Sequence, residues 1–218
     1  MIKIKLNELK NIIVEAINEM AYPTNFSLNE FISLNTYAKR IKYCQERLKR
    51  ISSGSSRIVY QIDNEKVLKI AKNKKGIAQN IAENDYVIQT HNIVAKVFEA
   101  DNNGLFNEME LANRVNPTIF KKILGFDFNN IYSYLNYAVK RLTSPPNFRH
   151  DIKTKEEINF INNNEWLNEL ADLVAETNMP IGDLGKLDSY GIVNRNGKQY
   201  IVLIDYGLTN KIFDDYYK

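Results

Sequence analysis

A single cysteine, Cys44, stands among 218 residues. That excludes an internal disulfide and any cysteine-built zinc cluster, and leaves Cys44 to be read as a small buried apolar side chain on a helix. Histidine is nearly as scarce: His91 and His150 have no metal-ligand spacing around them, and neither is assigned a role. Long apolar runs are missing too. None approaches the roughly 20 residues needed to cross a bilayer, and Met1 to Met20 alternates charged with apolar residues instead of forming a secretory leader. The expectation is a soluble, intracellular protein that makes no membrane contact. Neither an internal repeat nor a low-complexity tract is visible.

What is present begins with length and charge. A chain of 218 residues suffices for one large domain or two small lobes around a substantial core. The net charge is +3 but unevenly spread: Ala38 to Lys75 holds twelve lysines and arginines against three acids, whereas Asp151 to Lys218 holds twelve acids against seven bases. Lys39, Arg40, Lys42, Arg47, Lys49 and Arg50 read first as the solvated face of a helix. A nucleic-acid surface over residues 39–50 is the sharper alternative, and the lack of interleaved aromatics speaks against it. Heavy use of asparagine, isoleucine and lysine fits an AT-rich genome, as in many bacteria and phages; a phage-encoded chain would be found in the virion as well as the cytoplasm.

The most informative segments lie near the end. Gly182-Asp183-Leu184 is followed by Asp188; an apolar run from Tyr190 to Val193, a turn at Asn194-Arg195-Asn196-Gly197 and a second run from Tyr200 to Ile204 deliver Asp205-Tyr206-Gly207. A hairpin of that shape brings three carboxylates to one end of two adjacent strands. Carboxylates so crowded repel unless a cation or proton sits between them, which suggests a magnesium site.

With these motifs the chain resembles the superfamily of protein kinases and aminoglycoside-type phosphotransferases, in which a loop H-[RG]-D-L-x-x-x-N supplies the base and a D-F-G after the next hairpin supplies a metal ligand. The resemblance implies Asp183 as the catalytic aspartate, with Asp188 and Asp205 as metal ligands. Ile181 stands where the family has histidine, Asp188 replaces asparagine and Tyr206 replaces phenylalanine. Upstream, Ser52-Ser53-Gly54-Ser55-Ser56 leads into a strand-like run from Arg57 to Ile62, a turn at Asp63-Asn64-Glu65, and a second run from Lys66 to Ala71. This order is similar to the family's phosphate-covering loop and its lysine-bearing strand. It implies Lys69 as the phosphate lysine, Glu83 on a helical stretch from Ile77 to Gln89 as its counter-ion, and nucleotide contacts from Ser53, Gly54, Ser55, Ser56, Val59 and Val67. Ile93 to Ala100 and Leu105 to Leu111 read as a hairpin across Asp101-Asn102-Asn103-Gly104. Its end, Glu110-Leu111-Ala112, falls where the family's hinge offers backbone groups to adenine, so Glu110 and Ala112 join the implied site.

The resemblance implies an α+β, two-lobed protein kinase-like fold: a small antiparallel-sheet lobe, and a reduced, mostly helical second lobe. The implied division is an N-terminal helical extension at 1–50, the sheet lobe at 51–112 and the reduced lobe, with its catalytic loop and hairpin, at 113–218. Leu9, Ile12, Ile13, Ala16, Ile17 and Met20 recur at helical spacing up to Tyr22-Pro23. Ser27-Leu28-Asn29-Glu30 has the form of a capping box opening a second helix to about Arg50, with Leu28, Phe31, Ile32 and Leu34 on its apolar face. Pro117 to Leu142 reads as buried helix, Ser144-Pro145-Pro146 as a break, Asp151 to Asn164 as a polar, partly helical connection, and Glu165 to Thr177 as an amphipathic helix. Only eleven residues follow Gly207, so the peptide-binding platform of a protein kinase is not expected. Two functions stay open: an ATP- and Mg²⁺-using phosphotransferase acting on an unknown hydroxyl acceptor, or an inactive pseudokinase or assembly module that binds a protein partner through the same fold.

Overall fold

The computed structural model describes residues 22–144 and 154–217. The helix expected over Leu9 to Met20, the Pro145-Pro146 break, His150 and the start of the 151–164 connection lie outside the described residues.

Two short helices open the described chain, α1 (Leu28–Ser33) and α2 (Tyr37–Arg47). They are separate because Thr36 starts the second one, accepting from Lys39 N at its own N-cap. Ser27 caps α1 as the capping box predicts, but Glu30 does not return the bond to Ser27 N. Tyr43 intervenes: its hydroxyl donates to the Glu30 carboxylate at 2.9 Å and accepts from Ser27 N at 3.0 Å. Ile32 is exposed, so only Leu28 and Phe31 of α1 face inward. A further difference follows at Lys49, where the chain becomes strand β1 (Lys49–Ser53). The basic run therefore does not form one helical face: Arg40 is buried, Arg47 stacks over Tyr43, and Lys49 and Arg50 lie on a strand.

Strands β2 (Arg57–Gln61) and β3 (Lys66–Ala71) come next. Helix α3 (Lys74–Glu83) stops short of the expected end, because Asp85 caps a new helix, α4 (Tyr86–Thr90). Strands β4 (Val97–Ala100) and β5 (Phe106–Glu110) form the expected hairpin and complete an antiparallel five-stranded sheet of order β1-β2-β3-β5-β4. Side chains alternate across a strand, and here the alternation divides two environments. Ile58, Tyr60, Leu68 and Ile70 meet Phe31, Tyr43 and Cys44 of the N-terminal helices in one core cluster. Val59, Val67 and Lys69 point to the other face, since Val59 pairs with Lys69 and Gln61 with Val67 across the ladder. The N-terminal helices thus back the sheet, and the opposite face is left for the cleft.

A short strand β6 (Asn113–Arg114) crosses to the second lobe, where α5 (Pro117–Leu124), α6 (Ile131–Thr143), α7 (Lys155–Asn163) and α8 (Glu165–Thr177) follow. The helical stretch expected from Pro117 to Leu142 is two helices, broken after Leu124. The described part of the polar connection is largely α7, and α8 matches its expected bounds. Two 3₁₀ turns, Ile181–Gly185 and Leu187–Ser189, carry the first carboxylates. Strands β7 (Tyr190–Arg195) and β8 (Lys198–Leu203) close on β6 as a three-stranded sheet. Their turn is only Asn196-Gly197, at φ 54° and 76°, the pair of left-handed residues that a two-residue hairpin demands. The fold is α+β and two-lobed, and the larger core cluster runs continuously from Val67 and Met109 to Leu173 and Leu203. Residues 93–95 do not begin β4. They run beside β8 instead, with Leu203 N donating to Ile93 O at 2.7 Å and Ala95 N to Leu203 O at 2.8 Å, which ties the two sheets together. A last helix, α9 (Asn210–Tyr217), packs on α3.

Candidate functional site

A cavity of about 450 Å³ opens between the lobes, within the range of small-molecule sites. Ser53, Gly54, Ser55, Ser56, Val59, Val67, Lys69, Glu110, Ala112, Asp183, Asp188 and Asp205 all line it. Glu83 alone among the residues named from the sequence does not, because it lies fully buried behind Lys69. The lining is mixed in character: Val59, Val67, Ala95, Met109 and Leu111 are apolar, and Lys69, Lys186 and the three aspartates are charged.

The ion pair at the charged end is built by alternation and by one helix. Lys69, mid-strand on the cleft face, donates to Glu83 Oε1 at 2.8 Å and Oε2 at 3.1 Å, and to Ile204 O at 2.8 Å. Glu83 reaches it from the last turn of α3. Burial pushes the Lys69 ammonium below its usual value and neighbouring Arg57 pushes it further, against the pull of Glu83.

Arg57 is the residue that sequence reading missed. It opens β2 on the same face as Val59, with Nη1 2.8 Å from Glu83 Oε1 and Nη2 donating to Asp205 Oδ1. Burial acts to lower the guanidinium's pKa, but Glu83 and Asp205 more than offset it and hold the value above the ordinary one. For Asp205, burial alone would raise the carboxyl; Arg57, Lys69 and Lys186 together hold it below the usual aspartate value.

Asp205 reaches the cleft because the chain after it presses against α3. A Cβ on Gly207 would lie 2.4 Å from Gln79 O and 3.0 Å from Glu83 Cγ, so only glycine allows that approach. Tyr206, between them, is fully buried; its hydroxyl donates to Ala95 O and accepts from Gln89 Nε2 at 2.9 Å. Phenylalanine could make neither bond. The 3₁₀ turn bearing Asp183 is held by Tyr190, whose hydroxyl donates to Leu184 O at 2.7 Å, and by Ser189 Oγ, which donates to Asp183 O at 3.0 Å. Ile181 packs on the core where the resembled family has histidine. Glu110 is pinned from outside: Arg195 grips its carboxylate through Nε at 3.0 Å and Nη2 at 2.6 Å. Glu110 N donates to Lys96 O and Leu111 N to Glu65 O. Tyr217 of α9 lines the mouth, with Lys75 Nζ 4.1 Å above its ring and Gln79 Nε2 3.4 Å from its hydroxyl.

The magnesium ion implied by the resemblance would have Asp188 and Asp205 as its carboxylates, and the Asp205 side chain is 62% exposed. Asp205 accepts from Arg57 and Asp183 from Lys186, and among the described residues no group of three histidines, cysteines or acids could hold a metal ion. Asp188 lines the cavity without an ion pair among the described residues.

No protein-family model and no curated protein matches the chain. Solved structures similar to it include a ternary complex of streptomycin, ATP and APH(2")-IIa, at 15% identity and TM-score 0.33, covering 95% of this chain and 73% of that one. A gentamicin complex of APH(2")-IIa is similar at 13% identity and TM-score 0.34, over 95% and 71%. Both neighbours are aminoglycoside phosphotransferases of kinase-like fold.

Proposed function

We propose that the chain is a kinase-like nucleotide-binding protein whose cleft takes ATP. The base lies against Val59, Val67 and Met109 beside the 110–112 hinge, and the phosphates lie at Lys69 and the 53–56 loop. One observation carries this reading: Lys69, buried and paired with Glu83 behind it, lines a cavity that offers both apolar and charged side chains. An ammonium fixed by two acceptors is preorganised for a phosphate oxygen. The domain division we propose, 51–112 above the cleft and 113–218 below it with 1–50 as a brace, follows from the same reading.

In the catalytic form of the proposal, an acceptor hydroxyl lies near Asp183. Its oxygen bonds to the γ-phosphorus as the bond from that phosphorus to the β–γ bridging oxygen breaks. The electron pair leaves with ADP and the hydroxyl proton passes to Asp183, so catalysis rests on positioning and charge neutralisation. A second reading, a nucleotide-binding or assembly module without turnover, is favoured by Ile181 in the histidine position and by the Lys186 ammonium on Asp183.

A thermal-shift titration with ATP tests both. Ligand at a hundredfold excess over its dissociation constant stabilises the folded state by ~2.7 kcal/mol, and Lys69→Ala is expected to abolish the shift. Phosphate transfer that is lost in Asp183→Ala while ATP still binds supports catalysis; binding in the native protein with no transfer to any hydroxyl acceptor supports the module. No shift in the native protein sinks the nucleotide reading.

A further inference from the structure

Tyr217 is the one phenol among the described residues that line the cleft. It sits in the last turn of α9, the helix that packs on α3, and its ring stacks on Phe213 one turn earlier, with centroids 5.6 Å apart and planes 6° from parallel. Two side chains tie it to the 53–56 loop. Gln79 accepts from Ser56 Oγ at 2.5 Å through Oε1 and donates from Nε2 to the Tyr217 hydroxyl at 3.4 Å, so a single amide separates that hydroxyl from the loop. Lys75 donates to Ser55 Oγ at 3.1 Å and stands 4.1 Å above the Tyr217 ring. From the second lobe comes the pair that bears the candidate base: the Lys186 ammonium, raised above its usual value chiefly by its bond to Asp183, also feels the Tyr217 hydroxyl. That hydroxyl has its proton to spare. It accepts from Gln79 and donates to no group among the described residues, and Tyr217 is 43% exposed. Ser56 and Ser189, two other lining hydroxyls, already donate, to Gln79 Oε1 and to Asp183 O.

We propose that Tyr217 is the acceptor hydroxyl of this cleft, so that the chain transfers the γ-phosphoryl group of ATP to its own helix α9; this rests on the nucleotide reading above. A hydroxyl held between the loop that covers the phosphates and the Asp183–Lys186 pair stands where a transferred group has to pass. Tyr217 Oη forms a bond to the γ-phosphorus as the bond from that phosphorus to the β–γ bridging oxygen breaks. The electron pair leaves with ADP, and the phenolic proton passes to Asp183 Oδ2, since Lys186 holds Oδ1. The phosphorylated side chain carries about −1.5 to −2 charges at neutral pH, and Lys75 and Lys186 are at hand to hold it through charge-assisted hydrogen bonds.

In the test, the full chain is stripped with phosphatase, incubated with ATP and magnesium chloride, and followed by intact mass spectrometry, with peptide sequencing to place the phosphate. The native protein is expected to gain one phosphate on Tyr217, at a rate per molecule that does not change with protein concentration, as transfer within one chain requires. Tyr217→Phe, which keeps the ring under Lys75 and the stack on Phe213, is expected to abolish the gain. Tyr216→Phe, at the exposed neighbouring position, is expected to leave it at the native rate. Asp183→Asn is expected to slow it ~100-fold or more while ATP binding, read by thermal shift, is kept. A rate that rises with protein concentration, a phosphate placed on another residue, or a gain that survives undiminished in Asp183→Asn overturns the proposal. A native protein that binds ATP and gains no phosphate overturns it too and leaves the nucleotide reading standing, whereas absence of ATP binding overturns both.

Discussion

Replacing Glu83 with glutamine removes one charge from a set that sums to zero. Arg57 and Lys69 carry the positive charges at the closed end of the cleft, and Glu83 and Asp205 the negative ones. Glutamine keeps the shape but leaves two cations facing one acid, and Lys69 and Glu83 are 7% and 0% exposed in their side chains. Breaking a buried pair by removing one partner costs about 3–5 kcal/mol, which is a large share of a typical domain's ~5–15 kcal/mol. In a chain of this length that is a fall in Tm of roughly 6–20 °C, at about 2–4 °C per kcal/mol. Lys69→Met leaves the opposite imbalance and is expected to cost a similar amount. The double variant leaves only Arg57 facing Asp205, a balanced pair, so its cost should fall short of the sum of the singles by ~2 kcal/mol or more. Urea denaturation followed by circular dichroism measures all three, with the denaturant slope as a check that the unfolded reference is unchanged. The pH dependence has a definite sign. Lys69 is already held below its usual value, and without Glu83 it drops further. The unfolded chain then binds the proton more tightly than the folded one, and the loss in Glu83→Gln shrinks as pH rises towards the ordinary lysine range. A Glu83→Gln protein within ~0.5 kcal/mol of wild type, or a double variant whose cost is the plain sum, refutes the reasoning.

Gly207→Ala should destabilise by ~1–3 kcal/mol through its clash with Gln79 O, although a tolerated glycine-to-alanine change stabilises by ~0.4–1 kcal/mol; a rise in urea midpoint contradicts the close approach. Tyr206→Phe should cost ~1–3 kcal/mol because Ala95 O loses its donor inside the core, and an unchanged midpoint would show that the hydroxyl is not bonded there. Cys44 is wholly buried and its thiol is pushed up to about 12, chiefly by burial. It should resist a thiol reagent at pH 8 until denaturant is added; rapid labelling of the folded chain would contradict that placement.

Much of the cleft can be read from the sequence because its parts break a local pattern. Lys69 interrupts an apolar strand, and Asp205 follows a run of five apolar residues, so each stands out wherever the strands lie. Arg57 does not: a basic residue at the head of a strand looks solvated, and only the pairing of Val59 with Lys69 fixes which face it takes. Strand β1 escaped notice for a related reason. All five of its residues are exposed, so no alternation marks it, and it is a strand only because β2 supplies hydrogen bonds along one edge. The division of α3 from α4 turns on Asp85, whose side chain caps Val87 N at 2.9 Å; the apolar spacing runs on across that break without a sign.

Helix α9 gives the molecule a lever at its far end. Tyr217 touches Lys75 and Gln79, and Gln79 is one helical turn before Glu83 on the same rod. A molecule that enters the mouth wide enough to displace the Tyr217 ring therefore presses on the very element that sets the reach of the buried glutamate.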